Sequence, residues 1–135
     1  MSITLAELKA LLDIDEPDYA ALAVMAAGAM THLRKLAASS DVSLASKAVS
    51  LAGMIGGTSG VNIVTAAAGS EEVLVRLAAA HAVGFLPDHA KVSEVIQGLL
   101  ADDDLGVVKV ASTAASAQGV RAAAVNTTEI GRAHV

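Results

Sequence analysis

SEEVLVRLAAAHAVGFL, Ser70 to Leu86, is the stretch whose reading decides the fold. It opens with a helix-start signal. Ser70 stands as N-cap, and Glu71 and Glu72 follow in the first turn, where the helix dipole favours negative charge. The run is then apolar on nearly every side, interrupted only by Arg76 and His81. A helix that is apolar all round is buried on several faces. In a chain of 135 residues, that requires another layer of helices on each side of it.

The composition agrees. The chain is 54% hydrophobic but only 1% aromatic, so small aliphatic side chains, alanine above all, fill its interior. Alanine has the best helix propensity and lets helices approach closely, which predicts an all-α protein. The net charge of −5 and the absence of a basic run exclude nucleic acid as a partner. With no cysteine there is no disulfide, thiolate nucleophile or Cys-ligated zinc. The N-terminal MSITLAELKALLDIDEPD has early acids and no basic region, unlike a signal peptide. The longest uncharged apolar run, Tyr19 to Met30, is shorter than the roughly 20 residues that span a bilayer. The expectation is a soluble cytoplasmic protein with no membrane partner.

Helix signals continue outward in both directions. Thr4 and Glu7 form a capping box before LAELKALL, predicting a first helix over about residues 5–12. Asp15, Pro17 and Asp18 start a second, YAALAVMAAGAMTHLRKLAA, predicted to run unbroken to about Ala38. Ser40 or Asp41 caps a third, which ends in the glycines at 53, 56 and 57. GGTSG, Gly56 to Gly60, reads as a turn before the short apolar helix VNIVTAAA. Pro87 stops the central helix and Asp88 caps HAKVSEVIQGLLA. Asp102 to Asp104 cap LGVVKVASTAASA. The expected domain spans 1–125, and NTTEIGRAHV, 126–135, reads as a flexible tail.

The helices repeat. With Lys47, Arg76 and Lys109 in register, a capping residue stands six positions before each: Asp41, Ser70 and Asp103. The spacings, 29 and 33 residues, fall in the range of helical solenoids. The pattern is an apolar helix, an acidic turn, then an Ala-rich helix opening with Val-Arg. It resembles HEAT repeats, especially the short HEAT-like repeats of the phycobilin lyase type. VRLAAAHAVGFL (75–86) matches best, then LLADDDLGVVKVASTAA (99–115), then LRKLAASSDVSLASKAVSLAG (33–53). The resemblance implies a short right-handed α-solenoid of about three helix pairs plus an N-terminal helix. It also implies that the second helix of each pair lines a concave face. No catalytic motif accompanies it, so the lyase activity is not carried over.

In the third helix Ser43, Ser46, Lys47 and Ser50 fall at i, i+3, i+4 and i+7, a single polar stripe. Lys109, Ser112 and Ser116 form a second, and the matching central positions are Glu72, Arg76, Ala79 and Val83. The candidate binding face is therefore Lys47, Arg76 and Lys109 as a basic line, with Glu72, Ser50, Ala79 and Ser112 beside it. It suits an acidic peptide or helix. The competing reading of Arg76 is a pair with Glu72 plus a link to a neighbouring turn, with turn acids such as Asp41, Glu71 or Asp103 occupying the basic residues. His81, aligned with Ala52 and Ala114, is expected on the packed side, and Tyr19, Phe85 and the methionines in the core. No catalytic constellation, metal set or cofactor motif is present, and Asp102 to Asp104 lack the spacing of a calcium loop. Function is therefore expected to be non-catalytic binding of a protein or peptide. The alternatives are a lyase-like factor using His81 or Arg76 on a small molecule, and a self-assembling module. A homodimer is expected, because two helices, Tyr19 to Ala38 and Ser70 to Leu86, carry more apolar surface than three repeats easily bury, with Tyr19 to Met30 the strongest candidate for an exposed apolar surface.

Overall fold

The computed structural model describes residues 3–87 and 90–126, with side chains to Ala117. The expected cap at Asp88 and the tail from 127 onward lie outside the described residues. Eight α-helices are present among them, with no strand: α1 Leu5–Leu12, α2 Tyr19–Ala26, α3 Met30–Ala37, α4 Val42–Ile55, α5 Gly57–Ala68, α6 Val73–Ala82, α7 Ala90–Leu100 and α8 Leu105–Asn126. A 3-10 turn, Val83–Phe85, closes α6 before Pro87.

The helices stack as antiparallel pairs in two layers. The first helices of the pairs, α1, α3, α5 and α7, pack each on the next. The second helices, α2, α4, α6 and α8, do the same, with α4 against α6 the most extensive contact in the fold. The predicted capping box is formed: Thr4 Oγ1 accepts from the Glu7 backbone N–H, and Glu7 Oε1 from that of Thr4. Those donors stabilise the Glu7 carboxylate and hold it below the usual carboxylate range.

The unbroken second helix is corrected. The chain leaves helical geometry at Ala29 (φ −121°, ψ 38°), just after Gly28, and α2 and α3 are separate. Two buried faces explain the break. Leu22 and Ala26 are buried on α2, which packs on α4, and Leu33 and Leu36 on α3, which packs on α1 and α5 as well as α4. A straight helix cannot serve both, and glycine concedes the helix more readily than any residue but proline. The break places a fourth pair, α1 and α2, at the N-terminal end.

GGTSG is also corrected. Only Gly56 and Gly57 turn the chain, at φ of 73° and 69°, and Thr58 to Gly60 already belong to α5. That left-handed region is open to glycine at little cost.

The core follows from alanine. Ala48, Ala52, Ala79, Ala80, Ala82 and Ala111 are fully buried, alongside Leu44, Leu51, Val64, Val83 and Leu99. At the α4–α6 crossing, a Cβ on Gly53 would lie 2.7 Å from the Ala82 Cβ and 2.9 Å from its carbonyl oxygen. The two helices meet there almost backbone to backbone.

Candidate functional site

The turns within the last three pairs share one local device. Ser39 Oγ accepts from Asp41 N–H at 3.0 Å, Ser70 Oγ from Glu72 N–H at 3.1 Å, and Asp102 Oδ1 from Asp104 N–H at 2.9 Å. A side-chain oxygen thus folds onto the amide two residues ahead, a short polar turn that sets up the next helix start. Asp41 and Asp104 then cap α4 and α8, by accepting from Leu44 and Val107 N–H. Glu72 occupies the N-cap of α6 without a side-chain cap bond. The expected cap residue Ser70 therefore lies two positions early.

These turns fix the true register at steps of 31 and then 32 residues, from 39 to 70 to 102. Burial agrees: Leu44, Ala48 and Leu51 correspond to Val75, Ala79 and Ala82, and to Val107, Ala111 and Ala114, all buried at i, i+4 and i+7. The spacings of 29 and 33 are corrected accordingly. Lys47 matches Ala78 and Val110, and Lys109 matches Leu77 and Ser46. Arg76 matches Ala45 and Val108, off their line.

An open groove of about 540 Å³ runs over α4 and α6, between α2 and α8. From α4 it is lined by Ser43, Ser46, Lys47 and Ser50, the polar stripe read from the sequence. From α6 it is lined by Leu74, Leu77, Ala78 and His81, the same four positions one repeat later. Tyr19 closes one side and Val110 the other. Lys47 donates to the Ile14 carbonyl in the α1–α2 turn, and Ser46 Oγ to the Leu74 carbonyl at 3.3 Å. Partial burial pushes the Tyr19 hydroxyl above its ordinary pKa. A second hollow of about 340 Å³ adjoins across His81 and Val110, reaching Phe85, Thr113 and Ala117.

Here the expected burial of His81 is overturned. It is exposed between the two hollows, with its ring edge-on to Phe85 at 5.3 Å. Phe85 is itself 49% exposed and Met25 and Met54 face outward, so these are not core, whereas Tyr19 and Met30 are partly buried and pack against it. The two-residue slip in register accounts for His81, which aligns with Ser50 rather than Ala52.

Arg76 is engaged between repeats. Its Nε donates to Asp102 Oδ2 at 2.8 Å and its Nη2 to Asp102 Oδ1 at 3.2 Å. Nη1 donates to the carbonyls of Ser70 and Glu71 at 3.0 and 3.2 Å. Asp103 approaches Nη2 at 3.7 Å. The side chains of Arg76 and Asp102 are 17% and 8% exposed. The Arg76 hydrogen bonds hold the Asp102 carboxyl below its usual pKa, and Asp102 raises that of Arg76. The Glu72–Arg76 pair is replaced by this cross-repeat clamp, and Asp102 is the partner that sequence spacing missed.

The remaining candidates separate. Ser50 lines the groove, and Ala79 is fully buried beneath it. Glu72 borders a different cleft of about 310 Å³ at the turn edge of α3 and α5, facing Arg34 and Asn62. Lys109 and Ser112 are exposed on α8. Ser112 corresponds to buried Val49 and Ala80, on the side where a further repeat would pack. Among the described residues, no group of three or more His, Asp or Glu is placed to hold a metal ion, and no helix is long and apolar enough to cross a membrane.

Comparison with known proteins gives one match. A family model described as HEAT repeats matches residues 30–117, which run from the start of α3 through the described side chains of α8. No curated protein and no solved structure matches the chain. Two layers of paired helices, a turn device recurring with the pair, and a family match over more than half the chain lead to one assignment: this chain belongs to the HEAT-repeat family.

Proposed function

We propose that the chain is a non-catalytic interaction module that takes an acidic segment of a protein partner on the face of α4, α6 and α8. HEAT repeats are generally protein-interaction scaffolds, which supports the reading. The observation that carries it is the groove: four equivalent positions on two successive helices line one open, largely apolar channel without an acidic side chain. In a chain of net charge −5, that channel is a local exception. We assign the contact to Lys47, Ser50, Leu74, Leu77 and His81, with Lys109 at the far rim. Arg76 and Ala79 support it from behind.

A photo-crosslinking residue at Leu74 tests this. It is expected to trap a partner that the same residue at Gln97, exposed on α7, does not. Equal capture from both positions, or capture unaffected by Lys47→Glu, removes the groove from the reading.

Self-association is a second reading, favoured by α2. Val24 is 80% exposed and Met25 49%, on a helix with no charge between Tyr19 and Met30. Light scattering is expected to show a homodimer that Val24→Glu dissociates. A monomer at tens of micromolar rules this out.

A further inference from the structure

We infer that the groove's occupant is an amphipathic helix lying across α4, α6 and α8, with one carboxylate near each end of its contact and an apolar stripe between. This rests on the groove being the binding face. Three stations stand at neighbouring register positions on successive helices: Lys47 on α4, Leu77 and Ala78 on α6, and Lys109 on α8. The order is cation, apolar, cation. Arg76 stands off that register, and Asp102 and the Ser70 and Glu71 carbonyls hold its guanidinium. Lys47 donates a hydrogen bond to a neutral carbonyl, that of Ile14. Neither Lys47 nor Lys109 forms a salt bridge among the described residues.

Spacing sets the occupant's length. Packed helices lie about 8–10 Å apart, so two steps from α4 to α8 cover about 16–20 Å. At 1.5 Å per residue, a helix covers that distance in about 11–13 residues. Backbone chemistry sets its conformation. An extended peptide needs partners for its own N–H and C=O groups, which a sheet edge supplies. The walls of this groove are helices whose backbone groups are already paired. Its apolar lining is Leu74, Leu77, Ala78 and Val110. A helix brings its backbone already satisfied and presents only side chains. Its apolar stripe meets that lining, and carboxylates at the two ends meet Lys47 and Lys109.

Three synthetic helices of about 15 residues, sharing one Leu/Ala stripe, test the inference on the full chain by fluorescence anisotropy. The first carries one Glu near each end, about 11 residues apart and so on one face, the second carries Lys there, and the third carries both Glu near the centre. The first is expected to bind about tenfold or more tightly than either of the others, and to lose that advantage in the Lys47→Glu/Lys109→Glu chain, which then favours the Lys peptide. Lys47→Ala/Lys109→Ala is expected to bind all three alike. Leu74→Glu, at an exposed position, is expected to abolish binding of every peptide. Binding that ignores peptide charge but is lost with Leu74→Glu overturns the two-carboxylate occupant and leaves the groove reading intact. Absence of binding by all three peptides, or binding indifferent to Leu74→Glu, overturns the inference. The second of those outcomes also counts against the groove.

Discussion

Arg76 and Asp102 form a two-pronged ion pair across the joint between the second and third family repeats, at 2.8 and 3.2 Å. The pair is largely shielded from solvent, and Arg76 also satisfies two carbonyls of its own turn. Removing either partner strands the other. Arg76→Met and Asp102→Asn are each expected to lower the melting temperature, and the double substitution by clearly less than the sum. Lys109→Met, on the open face, is expected to leave it unchanged. Additive effects in thermal unfolding would show that the two residues act independently.

The same pair predicts acid sensitivity. The folded Asp102 carboxyl titrates below its unfolded value of about 3.9. Its stabilising contribution is therefore complete above that value and is lost as the pH falls through the lower, folded value. Glu7 adds to the trend with the same sign. Denaturant midpoints between pH 6 and pH 2 are expected to fall most steeply below pH 4, and Asp102→Asn to flatten the slope.

Three adjacent aspartates are expected to behave differently. Asp104 caps α8, and Asp104→Ala is expected to cost about 1 kcal/mol, the usual value of an N-cap. Asp103 is 98% exposed with one long contact, and Asp103→Ala is expected to change stability by less than about 0.5 kcal/mol. Asp102→Ala is expected to be the most damaging of the three. Chemical denaturation of the three variants gives the order directly.

Glycine substitutions separate space from propensity. Gly98 lies inside α7 with no atom within 4 Å of a new Cβ, so Gly98→Ala is expected to stabilise by about 0.5–1 kcal/mol. Gly53→Ala gains the same propensity but drives a methyl into Ala82, a contact that overpacking makes cost about 1–3 kcal/mol. A net loss is expected, with Gly53→Leu more severe. A stabilised Gly53→Ala variant would show that the α4–α6 crossing opens freely.

The all-α class, the capping box at Thr4 and Glu7 and the caps at Asp18 and Asp41 were legible because each is a local preference expressed within a few residues. The polar stripe on α4 was legible because serine and lysine contrast with their apolar neighbours. Register was not. In an alanine-rich helix every face carries small apolar residues, so a slip of one or two positions barely alters the pattern. The turn spacing from Ser39 to Ser70 to Asp102 holds the information, but it emerges only when the side-chain-to-amide bonds are seen. The break at Gly28 was hidden for a related reason: it is imposed by two layers competing for one segment. Leu74 and Leu77 were read as part of a helix buried all round because apolar residues that line an open groove look like core.

The joints between the family's repeats are built from different materials. At α4–α6 the contact is Gly53 against Ala82, with the neutral Ser46–Leu74 hydrogen bond farther along. Between α6 and the α7–α8 turn it is a charged clamp. Solution conditions therefore act unequally along the chain. Acid discharges the clamp, which its shielding protects from salt, while methyl-to-backbone contact is indifferent to both. As the pH falls, the α4–α6 crossing is expected to hold, and the contact of α8 with α6, beside Phe85 and Thr113, to loosen first.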